Sequence, residues 1–370
     1  MQDSDIAALS LTVLWAAFSV SVFFGWVLQR TQFCTMGAIS DVVNMGDKSR
    51  ATTWLLAALT GSVGLWALAA LGWLDVGHSI YASGRIIVLS ALIGGASFGF
   101  GMVLASGCGS KTLVRIGGGS LKSLVVFAVM GLSAYAALRG ITASFRVSYL
   151  DPVALHLDSA LLPQVLATAW GLTASQVGLA LAAAFIAIAW LWALRSAEFR
   201  ASSGPWSAVA IGLCITLMWY VSGHLGYVAE HPQTLEEAFL ATNTNRMEGL
   251  TFTAPMAYTL HWLMLYSDAS NHLTLAIVSV VGVIVGSAIE NWRSGSFRWE
   301  GFAGTQDTAL HLFGALLMGF GGVTAMGCTV GQGLSGIGTL SLNSLIAVVG
   351  IIAGAVGGLK FQLWLLMRDD

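Results

Sequence analysis

Uninterrupted apolar runs constrain this chain more than any other feature. Leu179–Leu194 and Leu345–Leu359 are apolar on every helical face, and several stretches reach the roughly 20 residues that a bilayer-crossing helix needs. Membrane-barrel strands would alternate in polarity over about 10 residues instead. The expected fold class is therefore an all-α polytopic membrane protein. Charge points the same way, since only 9% of the 370 residues are charged, against about 25% in soluble domains. A net charge of -2 gives no electrostatic footprint for nucleic acid, so the lipid bilayer is the expected surrounding. Met1–Asp5 lacks the basic start of a cleavable signal peptide, and the first apolar run is expected to remain as a span.

About nine spans are expected, at 6–28, 51–73, 84–105, 119–139, 175–195, 205–222, 270–290, 308–326 and 340–366. An odd number puts the termini on opposite sides. With the N-terminus on side A, 12 of the 16 basic residues fall on side B: Arg30, Lys48, Arg50, Lys111, Arg115, Lys122, Arg195, Arg200, Arg293, Arg298, Lys360 and Arg368. Side A keeps Arg85, Arg139, Arg146 and Arg246. Lysine and arginine accumulate on the cytoplasmic side, which places the N-terminus outside and the C-terminus in the cytoplasm.

Four connecting segments, Gln32–Asn44, Gly107–Gly119, Leu250–Tyr266 and Gly327–Gly338, are too apolar and glycine-rich for solvated loops yet too short to span. Irregular backbone survives at membrane depth only when buried in protein or lining a polar cavity. Re-entrant half-helices are therefore expected near 32–44, 107–119, 250–266 and 327–338. Gly140–Gln176 and Gly223–Gly249 read as exterior loops, with Glu230, Glu236, Glu237 and Glu248 solvated.

The chain also repeats itself. Gly99-Phe100-Gly101 precedes Gly107-Cys108 as Gly319-Phe320-Gly321 precedes Gly327-Cys328, an offset of 220. Ser120-Leu121-Lys122-Ser123-Leu124 parallels Ser341-Leu342-Asn343-Ser344-Leu345 at 221, and Phe33-Cys34-Thr35 faintly echoes Phe252-Thr253-Ala254 at 219. The expected organisation is a first repeat over 1–140, a linker with the fifth span over 141–204, and a second repeat over 205–370. Equivalent spans differ by five, an odd number, so the repeats should be inverted, an arrangement found in secondary transporters with broken helices.

Three of the four cysteines, Cys34, Cys108 and Cys328, open such glycine-rich breaks. Unpaired amides at the start of a half-helix favour an anion, and a thiol there can donate a hydrogen bond or ionise. Cys214 lies inside an apolar run and reads as a packing residue. Lys111 and Arg115 follow Cys108 on its helical face, Arg30 precedes Cys34, and Gln332 follows Cys328. Thr253 joins these as a pathway candidate because it stands where the echo places Cys34. Cations near membrane depth are costly and line substrate paths, although several here also mark the cytoplasmic border. GCGSKT fails as a phosphate loop because Ser110 replaces a required glycine. The seven histidines form no ligand cluster, so no metal or cofactor is expected.

The motifs LQRTQFC (28–34), GFGMVLASGC with its later arginine (99–115) and MGFGGVTAMGCTVGQGLSG (318–336) resemble the YeeE/YedE family of sulfur-transport membrane proteins. The resemblance implies an hourglass of nine spans in a bacterial plasma (inner) membrane. It further implies uptake of a sulfur-containing inorganic anion, thiosulfate, past central cysteines at Cys34, Cys108 and Cys328, with Arg115 matching a family arginine. A cytosolic TusA-like sulfur-carrier protein is implied as a partner, and enzymatic activity is not. Lys111 and the FCTMGAISD stretch depart from the pattern. Another sulfur or selenium oxyanion, or a membrane thiol enzyme transferring sulfane sulfur, remain the alternatives.

Overall fold

The computed structural model describes residues 3–268 and 271–368. Helices dominate, in the order α1 (Asp3–Thr31), α2 (Thr35–Ser40), α3 (Ser49–Ala70), α4 (Val88–Leu104), α5 (Gly109–Gly117), α6 (Leu121–Arg139), α7 (Ile141–Phe145) and α8 (Leu162–Trp170). There follow α9 (Ala174–Ala193), α10 (Ala197–Ala201), α11 (Gly204–Tyr220), α12 (Thr253–Met264), α13 (Leu275–Arg293), α14 (Thr305–Thr324) and α15 (Leu342–Arg368). The strands are two short antiparallel pairs, Arg85–Ile86 with Leu155–His156 and Tyr227–Val228 with Ala238–Phe239. They tie exterior connections together and form no barrel.

Eight helices among the described residues are long and apolar enough to cross a membrane. The eighth expected span, 308–326, corresponds to α14, which is not among those eight: it is 20 residues long, its first turn carries Asp307 and its second carries buried His311. Residue 270, where the seventh span was expected to begin, lies outside the described residues, and the helix starts at Leu275. Large apolar side chains such as Trp15, Ile188, Leu191, Phe313 and Val349 remain exposed. On a soluble protein that surface would be a liability; here it is the face offered to lipid acyl chains.

The centre is built by close backbone approach. A Cβ at Gly94 would press on the backbone of Gly321, and one at Gly101 on that of Gly314. Rising numbers on α4 thus meet falling numbers on α14, so the two helices run antiparallel. The pairs also interchange under the 220-residue offset, because Gly94 corresponds to Gly314 and Gly101 to Gly321. The next layer behaves alike: Gly99 packs on the backbone of Ile351 and Ala355 in α15, and Gly319 on Met130 and Ala134 in α6. Without a hydrophobic force between helices in lipid, such small-residue contacts drive their association through packing. α9 sits outside this centre, with Gly178 against the indole of Trp66 on α3.

In the connection after α11, Glu230, Glu236 and Glu237 are exposed, as expected, and Glu248 departs from that expectation. Glu248 is buried and accepts from the amides of Asn243 and Thr244 and from the Thr244 hydroxyl. Burial pushes its carboxyl above the usual range while those hydrogen bonds oppose the shift. The carboxyl folds the connection back over the core instead of pointing into water.

Candidate transport pathway

Each of the three candidate cysteines follows the same local device. α1, α4 and α14 end with a left-handed residue, Gln32 (φ 51°), Ser106 (φ 55°) and Met326 (φ 59°), two positions before the cysteine. The hydrogen bonds are those of a Schellman cap: Phe33 to Leu28 and Gln32 to Gln29, Gly107 to Met102 and Ser106 to Val103, Gly327 to Gly322 and Met326 to Val323. The cap stops the long helix, turns the chain, and a short helix starts at the cysteine. Cys34 Sγ then accepts from the amide of Gly37 at 3.5 Å, and Cys328 Sγ from that of Gly331 at 3.4 Å. Cys108 Sγ lies 3.3 Å from Ser110 Oγ at the start of α5. The fourth break differs, for α12 begins after Phe252, where no cysteine stands.

The breaks converge. The thiols of Cys34 and Cys108 face each other, and the Thr329 hydroxyl also faces Cys108. Thr251 Oγ1 lies 3.8 Å from Cys328 Sγ. All four cysteines are free thiols, with Cys108 and Cys328 buried and Cys34 partly exposed. Cys214 is enclosed within α11, away from these breaks.

Two cavities reach toward this line from opposite ends. One of about 420 Å³ is lined by Gln32, Cys34, Arg50, Glu198, Ser202 and Ser207. The other, also about 420 Å³, is lined by Arg146, Arg246, Glu248, Thr251, Tyr258 and Gly327. The first touches the chain just before and at the start of α11, the second touches the connection after it. A single spanning helix separates them, so they open to opposite faces.

The other sequence candidates take distinct places. Lys111 Nζ donates to Gln32 Oε1 at 2.8 Å, bridging the breaks of Cys34 and Cys108. The Arg115 guanidinium lies against Gly107. Gln332 is fully buried; its Nε2 donates to Ala325 O at 2.5 Å while its Oε1 has no partner among the described residues. Thr253, at the start of α12, packs on Gly322 with its hydroxyl equally unpartnered. Arg30 is drawn elsewhere: it pairs with Glu290 at 3.5 Å, stacks over Trp26, and lines a separate cavity with Trp206 and Arg293.

Several residues at the breaks escaped the sequence reading. Arg50 pairs with Asp41 at 3.3 Å beside Gly37. Tyr81 donates to Gly331 O at 2.8 Å and pins the Cys328 segment from another connection. Arg146 is held by Asp151 at 3.4 Å, whose other oxygen accepts from Ser90. Arg146 and Arg246 are half of the four cations counted on side A, a signal available without the structure. Tyr81 carried none, since only the fold brings it to Gly331.

Long apolar helices, interrupted by buried thiol-bearing breaks between two opposed cavities, define a multi-pass membrane protein of the transporter class. A family model described as sulphur transport matches residues 30–357, and the chain belongs to that family. It is 28% identical over 341 residues to the thiosulfate transporter TsuA of Escherichia coli K12, covering 89% of each chain. It is likewise 28% identical over 367 residues to the thiosulfate transporter TsuA of Spirochaeta thermophila, covering 96% of this chain and all of the relative. A 110-residue stretch is 30% identical to the probable transporter YedE of Escherichia coli K12, covering 30% of this chain and 26% of that protein.

Proposed function

We propose that this chain carries thiosulfate across a bacterial plasma (inner) membrane into the cytoplasm, its N-terminus outside. The observation that carries the proposal is the line of three thiols joining two cavities on opposite faces. A dianion entering hydrocarbon loses its hydration at prohibitive cost, so a path must offer donors throughout and bind weakly at each. The outer cavity supplies Arg146, Arg246 and Tyr258. The anion then meets Thr251 and Cys328, next Cys108, and last Cys34, where Lys111 and Arg50 face the cytoplasm. Thiols suit the soft terminal sulfur of thiosulfate. Both near-full-length relatives are named for thiosulfate transport.

The contacts support two repeats, 1–140 and 205–370, inverted about an axis in the membrane plane, with 141–204 as the linker that carries α9. Transport rather than catalysis fits the groups around the thiols: Ser110, Thr251, Thr329 and Lys111 offer donors to an anion, and the carboxylate beside the Cys34 break, Asp41, is engaged by Arg50. On the cytoplasmic face, a cavity of about 740 Å³ carries Lys48 and Arg195 beside Asp47 and Glu198, a mixed polar rim on which a TusA-like sulfur carrier would dock.

The test is uptake of labelled thiosulfate by proteoliposomes carrying purified protein. Cys34→Ala, Cys108→Ala and Cys328→Ala should each abolish or severely reduce uptake, whereas Cys214→Ala should leave it within about twofold, since Cys214 only fills helix contacts. Full uptake by folded Cys108→Ala would overturn the thiol path.

A further inference from the structure

Buried hydroxyls are almost always hydrogen-bonded, and an orphaned one marks either strain or a missing partner. The Cys328 break concentrates such atoms. Thr329 is 1% exposed and Thr253 1% exposed, yet neither hydroxyl has a partner among the described residues. Many helical threonines in the chain satisfy themselves on their own backbone: Thr60 donates to Leu56 O at 2.7 Å and Thr259 to Pro255 O at 2.7 Å. Thr329 does not, because it sits in the turn directly after Cys328, before the helical hydrogen bonding of Gly331–Gly336 begins. The group it faces is the Cys108 thiol, whose sulfur is only a weak acceptor. The neighbouring Thr251 hydroxyl meets the Cys328 thiol at 3.8 Å.

Hydroxyls thus accompany the thiols at the Cys328–Cys108 end of the constriction. From this we infer that Thr329, next to Cys328 and facing Cys108, is an oxygen-recognising donor that binds the oxyanion end of the substrate while a cysteine meets its sulfur. The substrate class this selects is a tetrahedral anion with hard oxygens and a soft sulfur at opposite ends. An anion of one kind alone satisfies half of the donors. The unpartnered hydroxyl thus has its acceptor only while substrate passes, and Thr253 offers the same chemistry one step toward the outer cavity.

The inference rests on the transport proposal, and one substitution separates the two. Thr329→Val keeps the branched shape and removes the donor, while Thr329→Ser keeps the donor and removes a methyl. Hydrogen bonds to charged groups are strong enough that Thr329→Val should lower kcat/KM for thiosulfate about 10- to 100-fold. Thr329→Ser should stay near wild type, and Thr60→Val, whose hydroxyl serves only its own helix, should be unaffected. The thiosulfate-dependent rise in melting temperature should vanish with Thr329→Val and survive with Thr329→Ser. Should Thr329→Val fail to fold, Thr329→Ala against Thr329→Ser gives the same contrast. Equal uptake with and without the hydroxyl overturns the assignment of Thr329. Wild-type protein that moves no thiosulfate overturns the transport proposal instead.

Discussion

At the scale of single residues, the site is made by helix ends rather than by the cysteines alone. Gln32, Ser106 and Met326 each adopt a left-handed conformation that costs a non-glycine residue about 1 kcal/mol or more. Strain of this kind persists where the surroundings over-determine it. Gln32 shows a reason for not being glycine, because its side chain holds Lys111. Ser106 makes no comparable side-chain bond. Ser106→Gly should therefore stabilise the folded protein by about 0.5–1 kcal/mol, the relief of strain outweighing the added freedom of the unfolded chain. Thermal unfolding in detergent reads this directly; an unchanged or lowered melting temperature would show that Ser106 is fixed by something other than the cap. Cys108 and Cys328 were legible in the sequence because glycine flanks them, and glycine-rich breaks in apolar helices are conspicuous. The caps were not legible, since Gln, Ser and Met carry no left-handed signature.

The elements are held by helix crossings without side chains at the contact. A Cβ at Gly99 would collide with the carbonyl of Ile351, and one at Gly319 with that of Met130. Neither obstacle can swing aside, because both are backbone. Gly99→Ala and Gly319→Ala should each cost about 1–3 kcal/mol through forced separation of the helices. Gly357→Ala, on α15 with open space around it, should instead gain up to about 1 kcal/mol of helix propensity. Melting temperatures of the three variants in one detergent decide the matter, and equal effects at Gly99 and Gly357 would dismiss the crossing. Hydropathy exposed nearly every span, because lipid demands long apolar helices. Asp307 and His311 dilute the signal at α14, which the sequence still marked at 308–326, and packing between α4 and α6 makes that helix central. The sequence offset carried no sign that α4 and α14 touch. Arg30 shows the reverse limit: its place before Cys34 suggested the path, whereas the fold aims it at Glu290 on α13. A residue about one turn from a site in sequence can face away from it.

For the whole molecule, the decisive property is that the two cavities do not share a face. Cys34 is the partly exposed native thiol of the line and opens into the cavity bounded by Arg50 and Ser202. Cys108 and Cys328 are 1% and 0% exposed, so a bulky charged reagent has no direct approach to either. Arg246 lines the other cavity, beyond α11. A membrane-impermeant methanethiosulfonate reagent should therefore modify Cys34 in inside-out vesicles and spare it in right-side-out ones. Arg246→Cys, introduced together with Cys34→Ala, should show the opposite sidedness. Labelling of both from one face would remove the two-mouthed path altogether. Both patterns exchanged would keep the path and reverse the orientation that the 12 basic residues of side B imply. Thiosulfate present during labelling should slow the modification of Cys34, because an anion passing between Cys108 and Cys34 must occupy the space through which the reagent attacks.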